Sequence, residues 1–166
     1  MLAGFRAPLP PRTFRATHNP IIYENGRSSL LFRASGSDYV LRNTLPPRDN
    51  DRTIVEPPLH YHIHQAEQFR VVKGTASLYK GLDSKPWKQL STKPGDDIIG
   101  VVPKKIYHRF QNASTTEELV IDINLTPEEY ENEQRFFRNF FGYLDDCKSA
   151  KTAPSFFQLM VFLHRA

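Results

Sequence analysis

The chain has six histidines, and three of them fall in the ten residues Pro58-Leu59-His60-Tyr61-His62-Ile63-His64-Gln65-Ala66-Glu67. Alternate residues of an extended strand share a face. On a strand, His60 and His62 present two imidazoles side by side, and Glu67 follows five residues after His62. Neutral imidazole together with carboxylate is a donor set for Zn, Fe, Mn, Ni or Co. The competing reading is a polar turn with surface histidines. A fourth donor has to come from elsewhere in the chain. His108 is the candidate, in Val101-Val102-Pro103-Lys104-Lys105-Ile106-Tyr107-His108-Arg109-Phe110-Gln111-Asn112, where an apolar run meets a Pro-led turn and then alternating residues.

Together the two stretches resemble the two motifs of the cupin superfamily. The first motif reads His-x-His, four residues, Glu, six residues, Gly, and His60, His62, Glu67 and Gly74 stand at that spacing. The second reads Pro-x-Gly-x-x-His-x-x-x-Asn, matched by Pro103, His108 and Asn112. The resemblance implies an all-β fold, a cupin jelly-roll β-barrel. It also implies one divalent transition metal ion, its identity open among Fe, Mn, Zn, Ni and Co, bound by His60, His62, Glu67 and His108. Three positions depart from the pattern. Ile54 stands where a Gly often precedes the first His, and Asp97 holds the leading Gly of the second motif, with Gly95 two residues early. Lys105 replaces the Gly between Pro and His, so that turn is expected to differ. The likeness covers about residues 20–125.

The elements that position these residues are short. Residues 1–20, with four prolines, read as an extended arm, with His18 exposed. Asn25-Gly26 between two apolar runs is a hairpin signal. Strands are expected over residues 37–45, 53–64, 67–72, 76–79, 97–102, 107–112 and 118–124, with a turn region at Lys85-Pro86-Trp87, near Gln89-Leu90. Many short strands separated by Gly/Pro turns favour a sandwich or barrel. Strand parity turns Phe69 and Val71 inward with Glu67, and Phe110 and Asn112 inward with His108. Phe69 and Phe110 then wall a substrate pocket, core packing being their competing role. Asn112 is expected to fix a backbone turn. His64 and Tyr107 are placed beside the metal centre rather than on it.

The barrel domain is read as residues 21–125 and a C-terminal helical extension as residues 126–166. Thr126-Pro127-Glu128-Glu129 has the residues of a helix start, with Thr as cap and Pro in the first position. Phe136, Phe137, Phe140, Phe141 and Leu144 then recur at helical spacing, an apolar face expected to pack on the outside of the barrel. Residues 148–154 break the helix. Residues 155–163 are apolar almost all round, which calls for burial against the first helix, a partner subunit or a membrane surface. This tail also resembles that of small fungal cupin proteins, some of them found beside polyketide-pathway enzymes.

At 166 residues, with 39% hydrophobic and 24% charged residues, the chain has the length and composition of one globular domain. The net charge of +4 is spread without a basic run, which argues against a nucleic-acid partner. Cys147 is the lone cysteine, so neither an intramolecular disulfide nor a multi-cysteine zinc site is available. No apolar run reaches the length of a membrane span, and no secretory leader is apparent, so a cytoplasmic protein is expected. Chemistry then rests on the metal, with a small organic molecule, aromatic or polyketide-like, as substrate. An oxidoreductase of dioxygenase type is expected. The alternatives are a non-redox lyase, dehydratase, cyclase or isomerase, and a non-catalytic binding cupin. For an isomerase or epimerase, Tyr79, Tyr107 and Lys105 are the available acid/base candidates. A homodimer is expected.

Overall fold

The computed structural model describes residues 9–164. Among them nine strands precede two helices. The strands are β1 (Ile21–Tyr23), β2 (Ser28–Phe32), β3 (Leu41–Leu45), β4 (Ala66–Lys73), β5 (Thr75–Lys80), β6 (Lys88–Ser91), β7 (Ile99–Val102), β8 (His108–Asn112) and β9 (Leu119–Thr126). The helices are α1 (Tyr130–Ser149) and α2 (Phe156–His164). One sheet runs β1-β2-β3-β9-β4-β7 and the other β6-β5-β8, all pairs antiparallel. Two antiparallel sheets joined by crossing connections around one core form a jelly roll.

Alternation builds the core. β2 buries Ser28, Leu30 and Phe32, β3 buries Leu41, Asn43 and Leu45, and β4 buries Glu67, Phe69 and Val71. From the small sheet, Ala76, Leu78, Leu90 and Phe110 join Leu30, Leu41, Phe69 and Ile121 in one apolar cluster. Two glycines are required by space. A Cβ on Gly74 (φ +83°), between β4 and β5, would run into the Glu118 carbonyl oxygen. A Cβ on Gly100 of β7 would come within 2.7 Å of Leu78 Cδ1 on the facing sheet.

Several elements differ from expectation. Residues 53–64 form no strand. Glu56 N–H donates to the Thr53 carbonyl in a turn, Pro57 and Pro58 have no N–H for a ladder, and only His60 makes a bridge, to His108. Residues 37–45 begin in a turn closed by Ser37 N–H and Ala34 O, and only Leu41–Leu45 pairs. Gln89 and Leu90, next to the expected turn at Lys85-Pro86-Trp87, belong to a strand not anticipated, β6. The Asn25-Gly26 hairpin forms, but through a 3₁₀ turn at Glu24–Gly26 with Glu24, Asn25 and Gly26 all at positive φ. Thr126 caps no helix, because it pairs with Ala66 as the last residue of β9. The helix starts four residues later, with Glu129 in the cap position.

α1 is tied down near both ends. The Tyr130 hydroxyl donates to the Arg33 carbonyl, and Gln65 Nε2 donates to Pro127 O (2.7 Å) and Glu133 Oε1 (2.8 Å). Towards its C-terminus, Lys148 Nζ bonds the buried Glu24 carboxylate (2.7 Å), and Arg15 pairs with both Asp145 and Asp146. The expected arm over residues 1–20 falls outside the described residues at 1–8. Its remainder lies against α1 through Arg15, and His18 is exposed. The Phe stripe does not sit on the outer wall. Phe141 enters the barrel core, with Phe137, Phe140 and Leu144 packed against it. α2 rests on α1 through Phe162, whose ring meets Phe140 and Tyr143. Phe156, Phe157, Met160, Val161 and Leu163 are exposed on the chain. No helix among the described residues is long and apolar enough to cross a membrane.

Burial decides which ring matters most. Phe141 is 4% exposed, whereas Phe140 is only partly buried. Phe141→Ala should cost about 3–5 kcal/mol, and Phe140→Ala less than half of that. Urea midpoints of the two variants beside the parent check the order, and equal midpoints would refute this assignment of the stripe.

Candidate metal centre

His60, His62, Glu67 and His108 converge, each offering one donor atom within 4.8 Å of the others. Two ligands held about 2.1 Å from one ion stand about 3–4 Å apart, so the set is on the scale of one coordination sphere. Two strands and one loop deliver the donors. β4 points Glu67 inward and β8 points His108 inward, both buried. His60 is held by reciprocal backbone bonds with His108, N–H to O at 3.0 and 2.8 Å. The His62 carbonyl accepts from Lys105 N–H at 2.7 Å, which locks the first motif onto the second. The histidines therefore reach one side without the continuous strand expected for them.

The Nε2 atoms of His108, His62 and His60 stand 2.5, 3.3 and 3.7 Å from the same atom, Glu67 Oε2. His108 Nδ1 is 2.8 Å from the Ile106 carbonyl, and His60 Nδ1 is 2.9 Å from the Pro58 carbonyl. A carbonyl only accepts, so both Nδ1 atoms carry hydrogen and Nε2 is left for the centre. Lone pairs facing a buried carboxylate call for positive charge between them, as protons or as a metal ion. The residues present fit a metal. Burial alone would raise the Glu67 pKa, but hydrogen bonds from His108, His60 and His62 outweigh it and hold the carboxyl well below its usual range. Burial lowers the His60 pKa, and the bond and charge of Glu67 overcome this and raise it.

A cavity of about 460 Å³ opens beside the donors. Its wall includes His60, His62 and Glu67 from the centre, Leu41 and Ile123 from the large sheet, and Phe137 from α1. Phe110 lines it. Phe69 stands one layer deeper, fully buried, with its ring 6.2 Å from His108 and 5.3 Å from Phe110. His64 is exposed on the cavity rim and is not among the clustered donors. Tyr107 is 51% exposed, packs its ring on Tyr61 at 4.6 Å and does not itself line the cavity. Asn112 ties a turn, donating to Pro46 O and Glu117 O and accepting from Ser114 N–H. The sequence reading missed Asn43 and Glu133, which also line the cavity. Asn43 had a signal, as the polar member of the alternating row Leu41, Asn43, Leu45. Glu133 had none, since its helix was placed on the outer wall.

A jelly roll that brings a His-x-His…Glu motif and a second-motif His to one point is the architecture of a cupin. No family model matches the chain. The probable oxidoreductase virH of Hypocrea virens is 38% identical over 111 residues, 65% of this chain and 48% of virH, so the chain spans about half of that relative. Oxidoreductase iacF of Pestalotiopsis fici is 30% identical over 168 residues, 96% of this chain and 79% of iacF. Among solved structures, KdgF from Halomonas sp. superposes with a TM-score of 0.48 at 16% identity, over 73% of this chain and 98% of that one. The chain belongs to the family of iacF.

Lys105, which stands where the motif has Gly, lies at φ +66°, in the left-handed region that favours glycine. A left-handed L-residue costs about 1–2 kcal/mol, and glycine returns about 0.4–1 kcal/mol of that through the unfolded chain. Lys105→Gly should therefore stabilise the protein by up to about 1 kcal/mol, seen as a higher urea midpoint. A lower midpoint would show that the lysine side chain itself holds the turn.

Proposed function

We propose that His60, His62, Glu67 and His108 bind one divalent first-row metal ion, and that the protein is an oxidoreductase acting on a small, partly aromatic molecule held in the adjoining cavity. The convergence of three Nε2 atoms on one buried carboxylate oxygen, at the wall of a largely apolar cavity, carries this reading. The names of virH and iacF, both oxidoreductases, support the reaction class. When bound, such an ion supplies open coordination positions with Lewis-acid or redox character. The protein's own part is positioning. The Pro58 and Ile106 carbonyls fix two imidazoles, and the Lys105–His62 bond fixes the loop between the motifs. Phe110, Phe137 and Phe141 give the substrate an apolar wall and keep bulk water from the centre. A sugar isomerase asks for an acid/base pair in the lumen. Of its candidates, Tyr79 bonds Gln111 on the outer face of β5, and neither Tyr107 nor Lys105 lines the cavity.

Metal analysis of protein purified without a metal-affinity resin should find one ion per chain. His62→Ala or His108→Ala should weaken metal binding by more than about tenfold. Full loading of the double variant would remove the centre. Oxygen uptake with phenolic substrates tests the reaction class, and turnover without oxygen would move the protein to the lyase or isomerase class.

The reading includes a homodimer in which a second copy covers the exposed apolar residues of α2. Sedimentation should give a mass near twice 19.2 kDa. The single-chain mass throughout the micromolar range would exclude it.

A further inference from the structure

Two polar side chains in the cavity wall have hydrogen-bonding capacity that nothing among the described residues uses. Asn43 sits on β3 between Leu41 and Leu45, all three turned inward. It is 2% exposed and its Oδ1 has no partner. Glu133, on the first turn of α1, is 8% exposed. Its Oε1 accepts from Gln65 Nε2 at 2.8 Å and from Glu129 N–H at 2.9 Å, while Oε2 is buried without a partner. Both residues line the cavity that contains the His/Glu centre. Tyr23 Oη and Asn124 Oδ1 are also unpartnered, but neither residue lines the cavity.

Buried polar groups are almost always paired, because an unpaired one forfeits its hydration for nothing. This fold satisfies a buried asparagine elsewhere. Asn112 is 1% exposed and makes three hydrogen bonds. At Asn43 an aliphatic residue would continue the row of leucines at no such cost. The polar side chain is retained at the one kind of place where a partner arrives from outside, the wall of a ligand cavity. Glu133 is a second case. Burial raises its carboxyl pKa, the Glu129 and Gln65 bonds act against this, and the nearby Glu128 and Glu129 carboxylates add to the rise.

We propose that Asn43 and Glu133 bind oxygen substituents of the substrate. The preferred ligand is then a largely apolar, ring-sized molecule with at least two hydroxyl or carbonyl groups besides any that meets the His/Glu centre. The inference rests on the reading of the cavity as the substrate site, and names the substrate's second and third points of attachment.

Calorimetric titration with 2,4-dihydroxyacetophenone and with acetophenone, on the full chain, tests it. Each titration is run on zinc-loaded and on chelator-treated protein. The parent should bind the dihydroxy compound more tightly. Asn43→Leu, which keeps the side-chain shape, should weaken that compound by about tenfold, leave acetophenone within about threefold, and melt at or above the parent temperature. Glu133→Gln keeps the bonds to Gln65 and Glu129 and replaces Oε2 by an amide nitrogen. It should weaken the dihydroxy compound by at least about threefold. An Asn43→Leu protein that melts below the parent would make Asn43 structural and overturn the proposal. Unchanged affinities in both variants would do the same, as would a parent that fails to prefer the dihydroxy compound. A preference that Asn43→Leu abolishes in chelator-treated protein supports the proposal even where the His/Glu centre holds no metal. Full metal loading with no preference between the probes leaves the centre standing and removes only the proposal.

Discussion

The constraint on which the rest turns is the Glu67 carboxylate, buried at the end of β4 with three imidazoles aimed at one of its oxygens. Taking a carboxylate out of water costs several kcal/mol even after relaxation, unless charge or hydrogen bonds replace the solvent. Here the compensation comes from three histidines on two separate pieces of chain, so those pieces must hold to within a fraction of an ångström. The backbone supplies that precision. The His60–His108 bridge and the Lys105–His62 bond fasten the two motifs together without side-chain help. The strain of a left-handed Lys105, at φ +66°, lies within the same fastening, since its N–H makes the bond to the His62 carbonyl.

α1 closes the other side of the cavity, and it does so by contacts of two kinds. Phe141 gives it hydrophobic purchase in the barrel core. Its direction is set by polar ties near its ends, Tyr130 to Arg33 and Glu133 to Gln65 at the start, Lys148 to Glu24 and the Asp145–Asp146 pair to Arg15 towards the finish. Gln65 lies between His64 and Glu67, so the loop that carries His60 and His62 also holds the helix that walls the cavity. A shift of α1 and a shift of the first motif are thereby mechanically coupled.

How much of this was legible in the sequence follows from the range of the interactions. Glu67 and His108 were legible from the spacing of the two motifs, and because both sit on true strands, period two then placed Phe110 on the inward face of His108. His60 and His62 were found from residue type and spacing, although the strand assumed for them does not exist. Pro57 and Pro58 argue against that strand on physical grounds, and the bridge at His60 is a pairing that no local pattern encodes. Thr126-Pro127 has every local mark of a helix start, yet the ladder with Ala66 claims Thr126 first. The Phe stripe announced an apolar face but not its target, because an outer barrel wall and an open cavity offer a helix the same hydrophobic reward. Phe69 was misplaced for a related reason, since parity says inward or outward but not how deep a ring lies. Tyr107 was placed beside the centre by its nearness to His108 in sequence, although adjacent strand positions face opposite ways.

Depth also separates the two buried asparagines. Asn112 and Asn43 both occupy inward positions of regular strands, and alternation treats them alike. Asn112 lies at the end of β8, where the chain turns and free carbonyls at Pro46 and Glu117 are within reach. Asn43 lies at the middle of β3, where every backbone neighbour is committed to β2 or β9. A mid-strand inward asparagine has no backbone group left to bind, so its capacity can be met only by another side chain or by something in the lumen. Position along a strand, added to parity, therefore separates a polar residue that holds the fold from one that the fold holds out to a ligand.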